Sequence, residues 1–410
     1  MKERQTKIGT ICGDFDTFQL KSVLVKNDAG DWGSEPDKDA VGVIRSTNFN
    51  NDGKLDLSDI AYRTLSKRKF DEKKLYASDI LIERSGGSET QPVGRVGFIT
   101  DEMAKTDYAF ANFIQRISLS NDVDAKFTYY CLQQMYEMGI TAGMQSQTTG
   151  IRNLDWKQYI KILLPKPTLP EQSAIAAILS KVDEAIASVQ ASISAAERLK
   201  KSLMQNLLTG RMKPDGTLRK EDEFYVDEKF GKVPVGWRCY KFKEFAVLQR
   251  GNDLTDNDVV PGIYPVVKSN GVSIRHNQYF VEPPGVVTGR SGTIGKAFYI
   301  EEKFWAHNTT LYVKDFKGNV PKYIYYLILS MDFSRYYAGT TVPTLNRNDI
   351  HKLKVAVPET FEEQQQIVLL LDESHNIINK KKNKIAVLER LKKSLMQNLL
   401  TGRVRVKENE

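Results

Sequence analysis

Apolar residues return every three or four positions through two long stretches of this chain, and between those stretches they fall into short runs of the kind strands make. In the first long stretch they are Ile175, Leu179, Val182, Ile186, Val189, Ile193 and Ala196. After a one-place change of phase the series continues through Leu199, Leu203 and Leu207. The second stretch gives Ile367, Leu371, Ile378, Ile385, Leu388, Leu391, Leu395 and Leu399, with the polar Ser374 and Lys381 at two seam positions. A three-four alternation sustained this long predicts a pair of coiled-coil helices. Each opens on acid, Glu171 in one and Glu362 and Glu363 in the other, which suits the positive end of a helix dipole. Each stops at Thr-Gly, and Gly210 and Gly402 fit the left-handed residue that ends a helix. About 38 residues at roughly 1.5 Å rise predicts a rod of roughly 57 Å.

The rest of the chain reads as two blocks of strand-like runs, such as SDILIERSGG, GRVGFI, GIYPVVKSN, GVVTGRSG and KAFYI, punctuated by Gly, Asn, Asp and Pro. Shorter helical segments, KFTYYCLQQMYEMG and PKYIYYLILSMDFSRYY, sit at matching places. The expected fold is α+β, with two β-rich recognition domains separated by two long antiparallel coiled-coil helices in a pseudo-two-fold arrangement. The expected boundaries are 1–165 and 212–357 for the domains, and 166–211 and 358–410 for the helices.

The two helices are copies. Glu197 to Arg211 reads ERLKKSLMQNLLTGR, and so does Glu389 to Arg403, an offset of 192. Glu171-Gln172 falls on Glu363-Gln364 at the same offset, and so do the pairs Thr148-Thr149 and Thr340-Thr341. Two like units in one chain usually pack about a two-fold axis, which makes the helices antiparallel. The blocks have diverged where the helices have not, as expected if each block reads a different thing; loop drift is the alternative.

Charge gives direction to that idea. The 410-residue chain carries a formal net charge of +8, which favours a polyanionic partner. Residues 1–165 hold 22 Lys+Arg against 23 Asp+Glu, whereas residues 212–357 hold 21 against 16. A DNA-binding face on the first block must therefore be a local patch. Candidates are Arg84, Ser85 and Arg95 in the first block, and Arg290, Ser291, Thr293 and Lys296 in the second. Arginine can grip guanine O6 and N7 with two donors, and Ser or Thr suits phosphate. Arg152 and Arg347, after the Thr-Thr pairs, are further candidates, together with Thr148, Thr149, Thr340 and Thr341. The alternatives are a structural Gly-rich hairpin at 289–296 and solvated loops at the other positions.

Several classes are disfavoured. Gly289 to Lys296 has five residues between its outer glycines and Ala297 after the lysine, so it is no P-loop. No Gly-rich turn opens a dinucleotide-binding unit. The cysteines Cys12, Cys131 and Cys239 and the four histidines are scattered, so no metal site and no disulfide framework is expected. The N-terminus lacks an apolar signal core, and no run is long enough for a membrane helix, so a cytoplasmic, non-catalytic protein is expected.

With a P-x-L-P-E-Q or P-x-x-F-E-E-Q entry into each long helix, the LKKSLMQNLLTGR endings, a Gly236-Trp237 start to the second block and its G-x-S-G-T-I-G-K loop, the whole chain resembles the specificity subunit of type I restriction-modification enzymes. The first block departs from the pattern, reading ERSGGSETQPVGR where the second has GRSGTIGK. The resemblance implies a subunit that reads a split target in double-stranded DNA, with the paired helices as a ruler of at most roughly 17 base pairs. It implies docking of two modification methyltransferase subunits and, through them, restriction subunits. S-adenosylmethionine, ATP and Mg would then belong to the partners and none to this chain. A coiled-coil protein scaffold without DNA specificity is the competing reading, and a self-contained nuclease or methyltransferase a third.

Overall fold

The computed structural model describes residues 4–88, 90–148, 151–336 and 344–406. The chain packs as two compact units, one made of Met1–Val189 with Lys384–Glu410 and the other of Gln190–Asn383. Each unit is one strand-rich block with half of each long helix.

The first unit is built on a four-stranded antiparallel sheet of β1 (Leu24–Ala29), β2 (Ile80–Glu83), β3 (Val96–Phe98) and β4 (Ile114–Leu119), in the order β1-β4-β2-β3. A helix, α1 (Ala125–Glu137), follows β4. A second, mixed sheet centres on Val41–Ile44, which pairs parallel with Tyr108–Phe110 and antiparallel with Ala61–Arg63. The first half of the long helix α2 (Leu169–Leu208) closes this core: Ile175 and Leu179 are buried with Ile80, Ile82, Tyr130 and Met135.

The second unit repeats the plan with β5 (Val247–Arg250), β6 (Gly285–Gly289), β7 (Ala297–Ile300) and β8 (Thr310–Asp315) in the order β5-β8-β6-β7. The helix α3 (Pro321–Ser330) follows β8, and a mixed sheet again has a central strand, Tyr264–Lys268, paired parallel with Trp305–Ala306. The second long helix, α4 (Phe361–Leu399), enters this unit, where Ile367 and Leu371 are buried with Val286, Leu311, Tyr323 and Ile324.

The Glu-Gln entry has a physical reason in both units. Gln172 is fully buried; its Oε1 accepts from the Asp124 N–H at the cap of α1 (2.9 Å), and its Nε2 donates to the Pro167 carbonyl (2.9 Å). Gln364 does the same, accepting from the Val320 N–H at 2.9 Å and donating to the Pro358 carbonyl at 3.1 Å. One amide thus welds the long helix to both the strand before it and the short helix of the block. The glutamates hold the other side: Glu171 is clasped by Arg405 at 2.8 Å through two nitrogens, while Glu363 takes Arg219 and the Trp237 indole N–H (3.0 Å). That indole explains the Gly-Trp start of the second block.

Within each unit the helix halves run antiparallel. In the first unit Asp183 meets Lys392 at 2.8 Å; in the second Lys381 Nζ donates to Ser192 Oγ at 2.6 Å, and Lys200 lies 3.1 Å from His375. Gly210 and Gly402 end the helices at φ +69° and +70°. The expected phase change does not occur. Leu199 and Leu391, both expected in the seam, are 58% and 45% exposed, and the seam passes instead through Lys200 and the 7% exposed Lys392. The alternation simply continues (193, 196, 200, 203, 207), because a lysine can lay its methylene stem along the apolar seam while its ammonium reaches a polar partner. Of the other expected seam residues, Ile175, Leu179, Ile186, Ile193, Ile367, Leu371 and Ile378 are buried, and Val182, Val189, Leu203, Ile385, Leu388 and Leu395 half-buried.

Candidate nucleic-acid interface

In each unit the chain leaves the third strand of the main sheet on an Arg-Ser pair. In the first unit Arg84 and Ser85 follow β2, and both N–H groups donate to the Phe113 carbonyl (2.8 and 3.2 Å) just before β4. In the second, Arg290 and Ser291 follow β6, and both donate to the Thr309 carbonyl (2.8 and 3.1 Å) just before β8. A returning segment then accepts or donates across the pair: the Leu154 N–H donates to the Arg84 carbonyl (2.8 Å), and the Leu345 N–H to the Arg290 carbonyl (2.7 Å). The matching hydrogen bonds align Arg84 with Arg290 and Ser85 with Ser291.

The first unit gathers a hydrogen-bonded edge. Ser85–Gly86 pairs with Ile151–Leu154, which places Arg152 opposite Gly86 and Asn153 opposite Ser85, and Ser85 Oγ donates to Asn153 Oδ1 at 2.7 Å. Arg84 Nη1 donates to Gln115 Oε1 (3.3 Å), and Gln115 Nε2 to Asn27 Oδ1 (2.7 Å). Arg84, Ser85 and Arg152 are half-buried and stand together. Arg95 is a correction to the expectation. It is 7% exposed and committed inward, its guanidinium held by both oxygens of the buried Glu83 (2.8 and 2.7 Å) and by the carbonyls of Phe49 and Ser46. It braces the loop at 46–49.

In the second unit the loop from Gly289 to Lys296 is a hairpin between β6 and β7, turned by Gly292 and Gly295 at φ +85° each. Ser291, Thr293 and the exposed Lys296 ride on it, and Ser291 bridges to Thr344. Arg290 is half-buried with one weak hydrogen bond to the Asn308 carbonyl (3.4 Å), and Arg347 Nη1 donates to Gln249 Oε1 (2.7 Å). Burial, and then the like charge of Arg250, hold the Arg290 guanidinium below its ordinary pKa. The sequence reading missed Arg250, Gln249, Gln115 and Asn27, which come from strands far away in the chain. Thr148 closes the strand Gln145–Thr148 opposite Ile151; Thr149, Thr340 and Thr341 lie outside the described residues.

Among the described residues no group of three or more His, Cys, Asp or Glu side chains is placed to hold a metal ion. No described helix is long and apolar enough to cross a membrane.

Two blocks with one framework, each carrying an Arg-Ser pair at the same sheet edge, define a duplicated recognition protein. The family model for the type I restriction modification DNA specificity domain matches twice, over residues 13–198 and 234–390, and the chain belongs to that family. It is 22% identical to a putative type I restriction enzyme specificity subunit, MjaX, of Methanocaldococcus jannaschii, covering 98% of this chain and 97% of that one. It is 26% identical to the MjaVIII specificity subunit of the same organism, over 80% of each chain. Among solved structures, the S subunit of a type I restriction-modification system from M. genitalium shares the fold, with a TM-score of 0.58 at 14% identity over 97% of this chain and 99% of that one.

Proposed function

We propose that this chain is the sequence-specific DNA-binding subunit of a type I restriction-modification complex, reading a two-part target with one recognition block for each part. The observation that carries this is the Arg-Ser edge, built by the same backbone hydrogen bonds in both units and surrounded by different side chains in each. Fixed main-chain geometry with divergent side chains is what two readers of different sequences need.

In this reading the chain is non-catalytic and works in the cytoplasm. It directs methylation and cleavage by two modification subunits and, through them, restriction subunits, and S-adenosylmethionine, ATP and Mg are bound on those partners. The DNA contacts fall on Arg84, Ser85 and Arg152 in the first block and on Arg290, Ser291, Thr293, Lys296 and Arg347 in the second. Exchanging residues 212–357 for another recognition block, and selecting duplexes from a random library with the chain and its methyltransferase partner, should change one half of the recovered target. Recovery of an unchanged target, or of changes in both halves, would contradict one block for each part.

A further inference from the structure

Gly30 and Gly251 occupy the same place in the two units. A Cβ on Gly30 would stand 2.0 Å from the Phe110 carbonyl oxygen, and one on Gly251 would stand 2.2 and 2.3 Å from those of His307 and Ala306. Each N–H donates to the strand beside it, Gly30 to the Ile114 carbonyl and Gly251 to the Thr310 carbonyl. Only glycine fits so close an approach. The residue before the glycine is therefore fixed at the edge of the sheet in both units: Ala29 in the first and Arg250 in the second.

Arg250 ends β5, opposite Leu311 of β8, and Thr288 of β6 pairs with the same Leu311 from the other side. Arg250 and Arg290 thus leave the two strands that flank the start of β8, and Arg347 is hydrogen-bonded to Gln249, the strand neighbour of Arg250. Among the described residues none of the three arginines is in an ion pair, and the nearby Asp253 is taken up by the Asn308 amide at 2.6 Å. The exposed Arg250 and the half-buried Arg290 bring like charge to one edge of the sheet, and their repulsion is relieved when an anion lies between them. A base edge offers neutral acceptors and leaves the repulsion in place, whereas a phosphate offers charge and paired oxygens that match the guanidinium fork.

We infer that Arg250, with Arg290, clamps a backbone phosphate of the DNA, and that the first block has no counterpart of Arg250 at the corresponding place. Ala29 cannot contribute to one, and Arg84 in the first unit is instead hydrogen-bonded into the Gln115–Asn27 amide chain. The charges of the blocks agree: residues 1–165 are nearly neutral and residues 212–357 carry the excess of base.

The inference rests on the DNA-binding reading, and one titration separates the two. The chain with its methyltransferase partner is titrated against a library-selected duplex and a random-sequence duplex between about 50 and 200 mM salt. Arg250→Gln should weaken both duplexes by the same factor and reduce the slope of log K against log salt by about 0.9, the share of one phosphate. Arg250→Lys, which keeps the charge, should retain the slope. A slope left unchanged by Arg250→Gln, or a loss confined to the selected duplex, overturns the clamp while leaving DNA binding intact. A wild-type complex that binds neither duplex removes the functional reading and the clamp with it.

Discussion

Arg95 and Glu83 face each other inside the first unit with side chains 8% and 1% exposed, and the pair shows why an arginine near a glycine-rich loop need not be a DNA contact. Removing one partner of a buried pair strands the other charge. Arg95→Ala should therefore cost about 3–5 kcal/mol in urea unfolding, whereas Arg84→Ala should weaken DNA binding and leave the unfolding midpoint nearly unchanged. A stable Arg95→Ala with weakened DNA binding would return Arg95 to the interface. His351 supplies a test in pH. Its Nε2 accepts from the Leu248 N–H at 2.9 Å, and burial, then Arg347 and Lys243, hold its pKa below the ordinary histidine value. The folded chain thus favours the neutral ring, while the unfolded chain takes up its proton as pH falls through about 6.5. The stability from this group is full above that pH and is lost below it. Urea midpoints should fall from pH about 7.5 to about 5.5, and His351→Gln should shrink the fall without abolishing it, because His307 and His375 are shifted the same way.

The identical segments ERLKKSLMQNLLTGR show that an element's role is set by what it meets. Lys392 pairs with Asp183, whose other oxygen accepts from the Tyr130 hydroxyl at 2.7 Å. Its copy Lys200 meets His375 in place of a carboxylate, and burial lowers its pKa. Lys392→Met should cost about 1–3 kcal/mol by leaving Asp183 underpartnered. Lys200→Met should be neutral within about 0.5 kcal/mol or mildly stabilising, since it removes a poorly solvated charge without orphaning an acid. Chemical denaturation of both variants decides it, and equal costs would mean that the two surroundings do not differ in energy. The helix ends were legible in the linear chain because a terminal glycine acts within a turn of itself, and the Glu-Gln entry because it recurs at the offset of 192, though not the distant groups that it holds. The seam through Lys200 and Lys392 was not: a leucine and a lysine side by side both fit the period, and only the facing Asp183 or His375 selects between them.

At the scale of the molecule, both units hang different chemistry on one frame. With Arg250 and Arg290 in the second block and an amide network in the first, the second block's hold on DNA should be the more salt-sensitive. Hydroxyl-radical footprints of the assembled complex at rising salt should fade first over the half-site that the exchange of residues 212–357 alters. Even fading over both half-sites would remove the asymmetry. Duplication, the long helices, the divergent blocks and the Arg-Ser candidates follow from the sequence alone, because repeats and periodicity are properties of one strand of residues read in order. Tertiary structure decided which arginines face outward and which carry the core. Arg95 was turned inward by Glu83, twelve residues away, and Arg250 was brought to Arg290 across a strand that neither belongs to. Such pairings depend on sheet order and on the close packing of Gly251 against a neighbouring backbone, which spacing along the chain does not encode.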